Sequence, residues 1–488
     1  MSGEVTLLMF PGLKSFQTEG HLYNRFVPRN LLRISLILLS ILLAALGPFL
    51  ASGYSELKKA STASTYTEVA EHYLNAAQRI PWRADLYELS GHAYYHAQEY
   101  VKADSVYQQV SQRGALSSEG WVAWGDVNYL NNDPRRATDI WEQALQQKNP
   151  SEHLYSRLAE IYRSADEPAK AADYLDKYVS IHPEDASAHY RLGVLLTLSD
   201  PSRASMELID ASELDPQLDP AVQTLRTALN LASLSDSDSM RFVVTGRGLG
   251  LVNEWQLAHT AFESAVEADG KNAEAWAWLG EANQQMGLPE AGAAQLDQAL
   301  GLDPKSSTVR GLRGLYFQRV GNFRQALTEF QSAASLEPEN AMWHVSLGET
   351  QAKLGDLIRA LEAYQTATTL APEDASYWRL LAIFCAQNNV NIKDIGVPAA
   401  QKAVVLSGKD VASLDVLGWL LMLDARDEEA RQILSRALEL DPQNSSVHLH
   451  WGMLALQTND RVSAFDHLIQ ARDLGSQEAV LLLKQYFP

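Results

Sequence analysis

Cysteine is almost absent. Cys385 is the only one in 488 residues, which rules out an intramolecular disulfide and any cysteine-based metal site and leaves cysteine usage silent on compartment. Basic charge is also scarce. Lys and Arg total 40 against 60 Asp and Glu, a formal net charge of -20. Residues 1–33 hold four basic and two acidic side chains, so the remainder carries -22 and is a poor match for nucleic acid or an anionic lipid surface.

Catalytic signatures are missing too. The chain has no GxxxxGK[ST] phosphate loop, no HExxH, no GxSxG elbow and no Cys/His metal spacing. Gly246, Gly248 and Gly250 resemble a glycine-rich phosphate loop, but they lie within a helical pattern with no preceding strand. His92 and His96 stand four apart, a spacing that could put two imidazoles on one metal, yet no third ligand is identifiable. The expectation is a non-enzyme with no cofactor and no metal.

What the chain does have begins with one long uncharged run. Ile34–Leu50 contains no charge, and the run extends to Ser55. Ile34 to Gly53 spans roughly 30 Å as a helix, one hydrocarbon core. A transmembrane helix over 34–53 is therefore expected. Arg25, Arg29 and Arg33 precede it and Lys58 and Lys59 follow, a bias that keeps residues 1–33 in the cytoplasm and places the bulk of the chain outside a cell membrane crossed once. The rival reading is a cleaved signal peptide ending near Ala51-Ser52-Gly53, against which the long basic lead-in argues.

Beyond a polar stretch at 54–65, read as a juxtamembrane linker, the chain repeats itself. A small residue recurs at Gly91, Gly125, Ala159, Gly193, Gly246, Gly280, Gly314, Gly348, Ala382, Gly418 and Gly452, mostly at intervals of 34 residues. If that place is called position 8, alanine recurs at position 20 (Ala103, Ala137, Ala171, Ala258 and onward) and at position 27 (Ala144, Ala265, Ala299, Ala333 and onward). Large side chains fill position 24: Tyr107, Trp141, Leu175, Phe262, Phe330, Tyr364 and Leu434. The spacing implies paired helices in which position 8 sits where the second helix crosses closely, with position 20 making the reciprocal contact. Pro183, Pro216, Pro304, Pro338, Pro372 and Pro442 end second helices.

Over residues 66–488 this pattern resembles the tetratricopeptide repeat (TPR) family. The resemblance implies an all-α fold, a right-handed solenoid of about eleven helix-turn-helix units with a concave groove. Three departures break the register. Residues 219–238 read as an extra helix and polar hinge, dividing a first repeat segment (66–218) from a second (239–478). Residues 388–396 lengthen a loop, and 479–488 form an apolar closing helix that either seals the last repeat or offers a docking face.

The family lines its groove with certain first-helix positions. Carried over residue by residue they give Asp85, Glu88, His92, Tyr95 and His96 in the first repeat, Val122, Asp126 and Tyr129 in the second, and farther on Arg247, Glu274, Glu281, Arg319, Glu349, Arg379, Ile383, Trp419, Met422 and Met453. Of the two-carboxylate clamp found in chaperone-binding members only Arg157 agrees, so binding of an EEVD-type tail is not implied. The gradient from acidic to apolar suits protein or peptide partners, with Arg319 and Arg379 available for their carboxylates. The function expected is a membrane-tethered scaffold in an envelope assembly, secretion or polysaccharide-export system. The alternative is a non-catalytic regulatory subunit of a membrane glycosyltransferase or protease.

Overall fold

The computed structural model describes residues 29–408 and 410–487; at 29–33, 35, 39, 42, 43 and 45 it describes backbone only. The N-terminal segment expected over 1–33 falls almost wholly outside these residues. Among the described residues there are helices and no strands. They form two compact units, Met1–Ala165 and Asp166–Pro488.

The first unit is built of Arg29–Ala60, Tyr66–Arg79, Asp85–His96, Tyr100–Ser111, Ser118–Leu130, Pro134–Leu145 and His153–Ser164. The loops between them are short, so successive helices run antiparallel. Within each pair the contact has a definite chemistry. A Cβ on Gly91 would lie 2.7 Å from the Tyr107 ring, and one on Gly125 would lie 2.0 Å from Nε1 of Trp141. The second unit repeats the arrangement with Gly246 against Phe262, Gly314 against Phe330 and Gly348 against Tyr364. Position 8 therefore faces the large side chain of position 24. Position 20 makes the reciprocal approach through its backbone, with Gly292 O 2.9 Å from a Cβ on Gly280, Gly280 O 2.7 Å from a Cβ on Gly292, and Ala360 O 3.2 Å from a Cβ on Gly348.

The turn inside most pairs carries a second recurring constraint. Gln98, Asn132, Asn253, Gly287, Gly321, Gly355, Ala425 and Asn459 all have positive φ. Each is followed by an amide that reaches back to the last turn of the first helix, as Asp133 N does to Asn128 O at 3.0 Å and Leu288 N to Asn283 O at 2.8 Å. This is the Schellman closure, which satisfies carbonyls the helix end leaves open and favours Gly or Asn at the left-handed position.

The departures from register are structured. Residues 219–233 form the helix Asp219–Ser233, packed through Val222, Leu225, Ala228 and Leu229 within the second unit. The stretch read as a lengthened loop contains a π-helical turn, Ile392–Gly396, reached through left-handed Asn389 and Asn391. Val390, Ile392 and Ile395 pack against the neighbouring core, so the insertion is part of it. The closing helix Gln477–Tyr486 lays Ala479 and Leu483 on Leu449, Leu468 and Ala471, while Leu481 stays exposed.

One boundary needs correction. The linker expected over 54–65 is helical as far as Ala60, because YSELKKA contains no helix breaker and its Glu56 is buried against partners on the next helix. Glu56 accepts from Lys59 at 2.8 Å, lies 2.7 Å from His72 Nδ1 and 3.3 Å from Arg79. Hydrogen bonds from Lys59 and His72 lower its carboxyl to about 2, against an opposing push from burial. The transmembrane span expected over 34–53 belongs to the same helix. Five of its positions lie outside the described side chains, and among the described residues no helix is long and apolar enough to cross a membrane.

The tight contacts make a paired prediction. Gly125→Ala pushes a methyl into an indole that is fixed by its own hydrogen bond to Val122 O at 3.2 Å, and overpacking of this kind costs about 1–3 kcal/mol. Gly301 lies on a helix with open space around it, so Gly301→Ala should stabilise by roughly 0.5–1 kcal/mol. Urea denaturation of both variants checks the opposite signs.

Candidate interaction groove

The expected groove residues are largely tied to the neighbouring repeat. Glu88 accepts from Ser117 N at 2.8 Å and from the Ser117 hydroxyl, and it lies 3.5 Å from His92 Nε2. Ser117 is the N-cap of Ser118–Leu130, so Glu88 anchors the start of the next repeat. Burial opposes its charge, but the hydrogen bonds from His92 and Ser117 prevail and lower its pKa. His92 Nδ1 shares a hydrogen bond with Tyr107 Oη at 2.8 Å. His96 is exposed and lies beside the Tyr66 and Tyr95 rings, so the two histidines are engaged separately.

The same holds along the second unit. Glu281 is 3% exposed and accepts two hydrogen bonds from Arg319, one of them 2.8 Å, across 38 residues of sequence. Two residues expected to face a partner thus neutralise each other. Glu274 accepts from Thr308 at 3.2 Å, and Arg379 pairs with Asp410, the N-cap of Val411–Leu423. Arg247 lies 5.2 Å over the Trp278 ring. Trp419 stacks on His450 with ring centres 4.7 Å apart, and His450 Nδ1 is 2.7 Å from Asp415. Met422 is buried and Met453 packs against the adjoining core. The apolar stretch toward the C-terminus is thus mainly packing.

Open space with mixed chemistry remains in the first unit. A cavity of about 190 Å³ is lined by Tyr95, Asp126, Tyr129, Leu130, Trp141 and Arg157. Tyr95 and Tyr129 occupy the same place in consecutive repeats, 34 residues apart, and the Tyr129 and Trp141 rings lie 6.2 Å apart. Arg157 Nε donates to Asp126 at 2.9 Å while half of its side chain stays exposed. Burial, then the Asp126 carboxylate, raises the Tyr95 phenol pKa, which keeps it a hydrogen-bond donor. Of the expected groove residues Tyr95, Asp126 and Tyr129 lie here. Trp141 was legible as the large residue of position 24 but not as part of the groove.

Among the described residues His189, Glu207 and Asp210 bring three potential metal-ligating atoms within 4.8 Å of one another. His189 and Glu207 are already engaged. His189 Nδ1 lies 2.8 Å from Glu207 and Nε2 lies 3.1 Å from Pro183 O, while Arg203 bonds both Glu207 and Asp176.

A description of the tetratricopeptide repeat family, TPR_16, matches residues 122–186, 251–307 and 312–375. Those three stretches match tetratricopeptide repeats. No curated protein matches the chain. Among solved structures it is similar to the APC/C hetero-tetramer Cut9-Hcn1, at 14% identity over 91% of this chain and 96% of that one, with a TM-score of 0.43. Yeast Tom70 gives 16% identity over 91% and 95%, with a TM-score of 0.40. Pseudomonas aeruginosa pilF gives 19% identity over 51% and 97%, with a TM-score of 0.35.

One packing contact near the C-terminus titrates. His448 Nε2 is held 3.0 Å from Pro442 O and so carries a proton, while its Nδ1 meets His467 Nδ1 at 2.9 Å. Only one proton fits between those nitrogens. Burial and then His448 lower His467 to about 4, with Asp466 and Asp460 pulling the other way. A histidine depressed below its unfolded value of 6.5 favours the fold above pH 6.5, and that contribution drains away as pH falls toward 4. The melting temperature should therefore drop across this window, and His467→Gln should flatten the drop, as differential scanning calorimetry from pH 7 to 4 will show.

Proposed function

We propose that this TPR chain is a non-catalytic scaffold, tethered to a cell membrane through the helix Arg29–Ala60, that holds a partner protein in an envelope assembly, secretion or polysaccharide-export system. TPR proteins in general serve as protein-interaction scaffolds. The observation that carries the binding role is the first-unit cavity, where Tyr95 and Tyr129 offer donors on an aromatic floor while most other expected groove charges are paired between repeats.

The tether is supported by Ile34, Leu36, Ile37, Leu38, Ile41, Leu46 and Phe49, which are 45–61% exposed on a helix with no charge from Ile34 to Ser55. Each large apolar side chain left in water forgoes about 1.5–3 kcal/mol. A hydrocarbon phase recovers that energy around the whole helix. The arginines ahead of the run and the two lysines behind it favour a cytoplasmic N-terminus with the array outside.

The test is crosslinking in intact membranes after carbonate extraction, comparing the wild-type chain with Tyr95→Ala/Tyr129→Ala. The chain should stay in the extracted membrane, and the double variant should lose crosslinked partner. Full release by carbonate would overturn the tether, and undiminished crosslinking would overturn the cavity as the binding site. A catalytic activity copurifying with the wild-type chain would instead favour the regulatory-subunit reading.

A further inference from the structure

Resting on that tether, we infer that the edge of the first unit beside Gly53 is a seat for a phospholipid headgroup layer, with Trp82 and Tyr54 as its interfacial anchors. The helix Arg29–Ala60 enters the array without a linker. A Cβ on Gly53 would lie 2.6 Å from Ile80 and 3.1 Å from Cβ of Arg79, so the loop after Tyr66–Arg79 is packed at the level where the uncharged span ends. Counted from Ile34, Gly53 is roughly 30 Å along the helix, the depth of a hydrocarbon core.

The residues at that level have the character of a membrane interface. Trp82 is 62% exposed and Tyr54 is 53% exposed, although both are large aromatics and Trp82 sits on a loop. Amphipathic rings of this kind collect where hydrocarbon gives way to headgroups. Because the helices alternate in direction, the loops at 80–84, 112–117 and 146–152 share this edge, and Arg113 lies 4.0 Å over the Tyr87 ring at the start of Asp85–His96.

Charge separates this edge from the opposite one. The three loops read IPWRA, QRGALS and QQKNPSE, with Arg83, Arg113 and Lys148 against the single acid Glu152. The opposite loops, STAST, AQE and NND, hold Glu99 and Asp133 and no base. Corresponding loops of the second unit, such as HPED at 182–185, EPEN at 337–340 and APED at 371–374, hold two acids each. Arg83 is matched by Asp85 at 2.7 Å, which leaves Arg113, beside the Tyr87 ring, and Lys148 as the cations available to phosphates. In a chain of net charge -20 this local basic edge is where anionic headgroups are tolerated.

The experiment uses the full chain reconstituted in phosphatidylcholine vesicles containing a quarter phosphatidylglycerol. Because Cys385 is buried, a polarity-sensitive fluorophore can be attached selectively at Trp82→Cys, at Gln112→Cys on the same edge, or at Arg135→Cys on the opposite edge. Labels at 82 and 112 should shift to the blue and be quenched by lipids brominated near the headgroup, several-fold more than the label at 135. Co-flotation with vesicles while the labels at 82 and 112 remain as aqueous as that at 135 overturns the seat and leaves the tether standing. Failure to float overturns the tether and the seat together.

Discussion

Everything in the array depends on how closely two helices of one pair can approach. Where position 8 is glycine the facing side chain is often an aromatic ring, as with Tyr107, Trp141, Phe262, Phe330 and Tyr364, and the ring occupies the space a methyl would need. At Ala159 and Ala382 the same place carries the methyl. Phe262 stacks on Trp278 and Tyr364 lies against Phe384 of the following repeat, so in those pairs a single omitted side chain sets both the pair and the stacking surface. Close packing of this sort transmits any change in volume directly to the neighbour.

Polar groups take over between repeats. Glu88 holds the cap of the next first helix, Asp126 holds Arg157, Glu281 holds Arg319, and Asp415 receives both Ser446 and His450. These partners lie about one repeat apart in sequence. The acidic composition is partly used up in this way, since a carboxylate on one first helix is satisfied by a donor on the next. Such rungs couple nearest neighbours only, which is the energetic signature expected of a solenoid.

The period, the small and large positions and the all-α class were legible because each repeat must satisfy the same packing, which prints the same residue types every 34 places. The left-handed closure of each turn was printed equally plainly, in Asn132, Asn253, Gly287, Gly321, Gly355 and Asn459, and reading only the helices passed over it. The groove was less legible. A helical position says which way a side chain points, but not whether the next repeat supplies an arginine, so Glu281 and Arg319 read as two contact residues when they are one pair. Met422 and Trp419 lie on the expected face and are taken up by packing. The small polar residues at 54–60 suggest a linker, although Glu56 finds Lys59, His72 and Arg79 there and the helix continues.

The central claim is that charged groove positions act as rungs between repeats. It is tested most directly by a double-mutant cycle at Glu281 and Arg319, comparing Glu281→Gln, Arg319→Gln and the double variant by chemical denaturation. The account predicts strong non-additivity, with a coupling energy of about 1–3 kcal/mol. Additive effects with no coupling would contradict it.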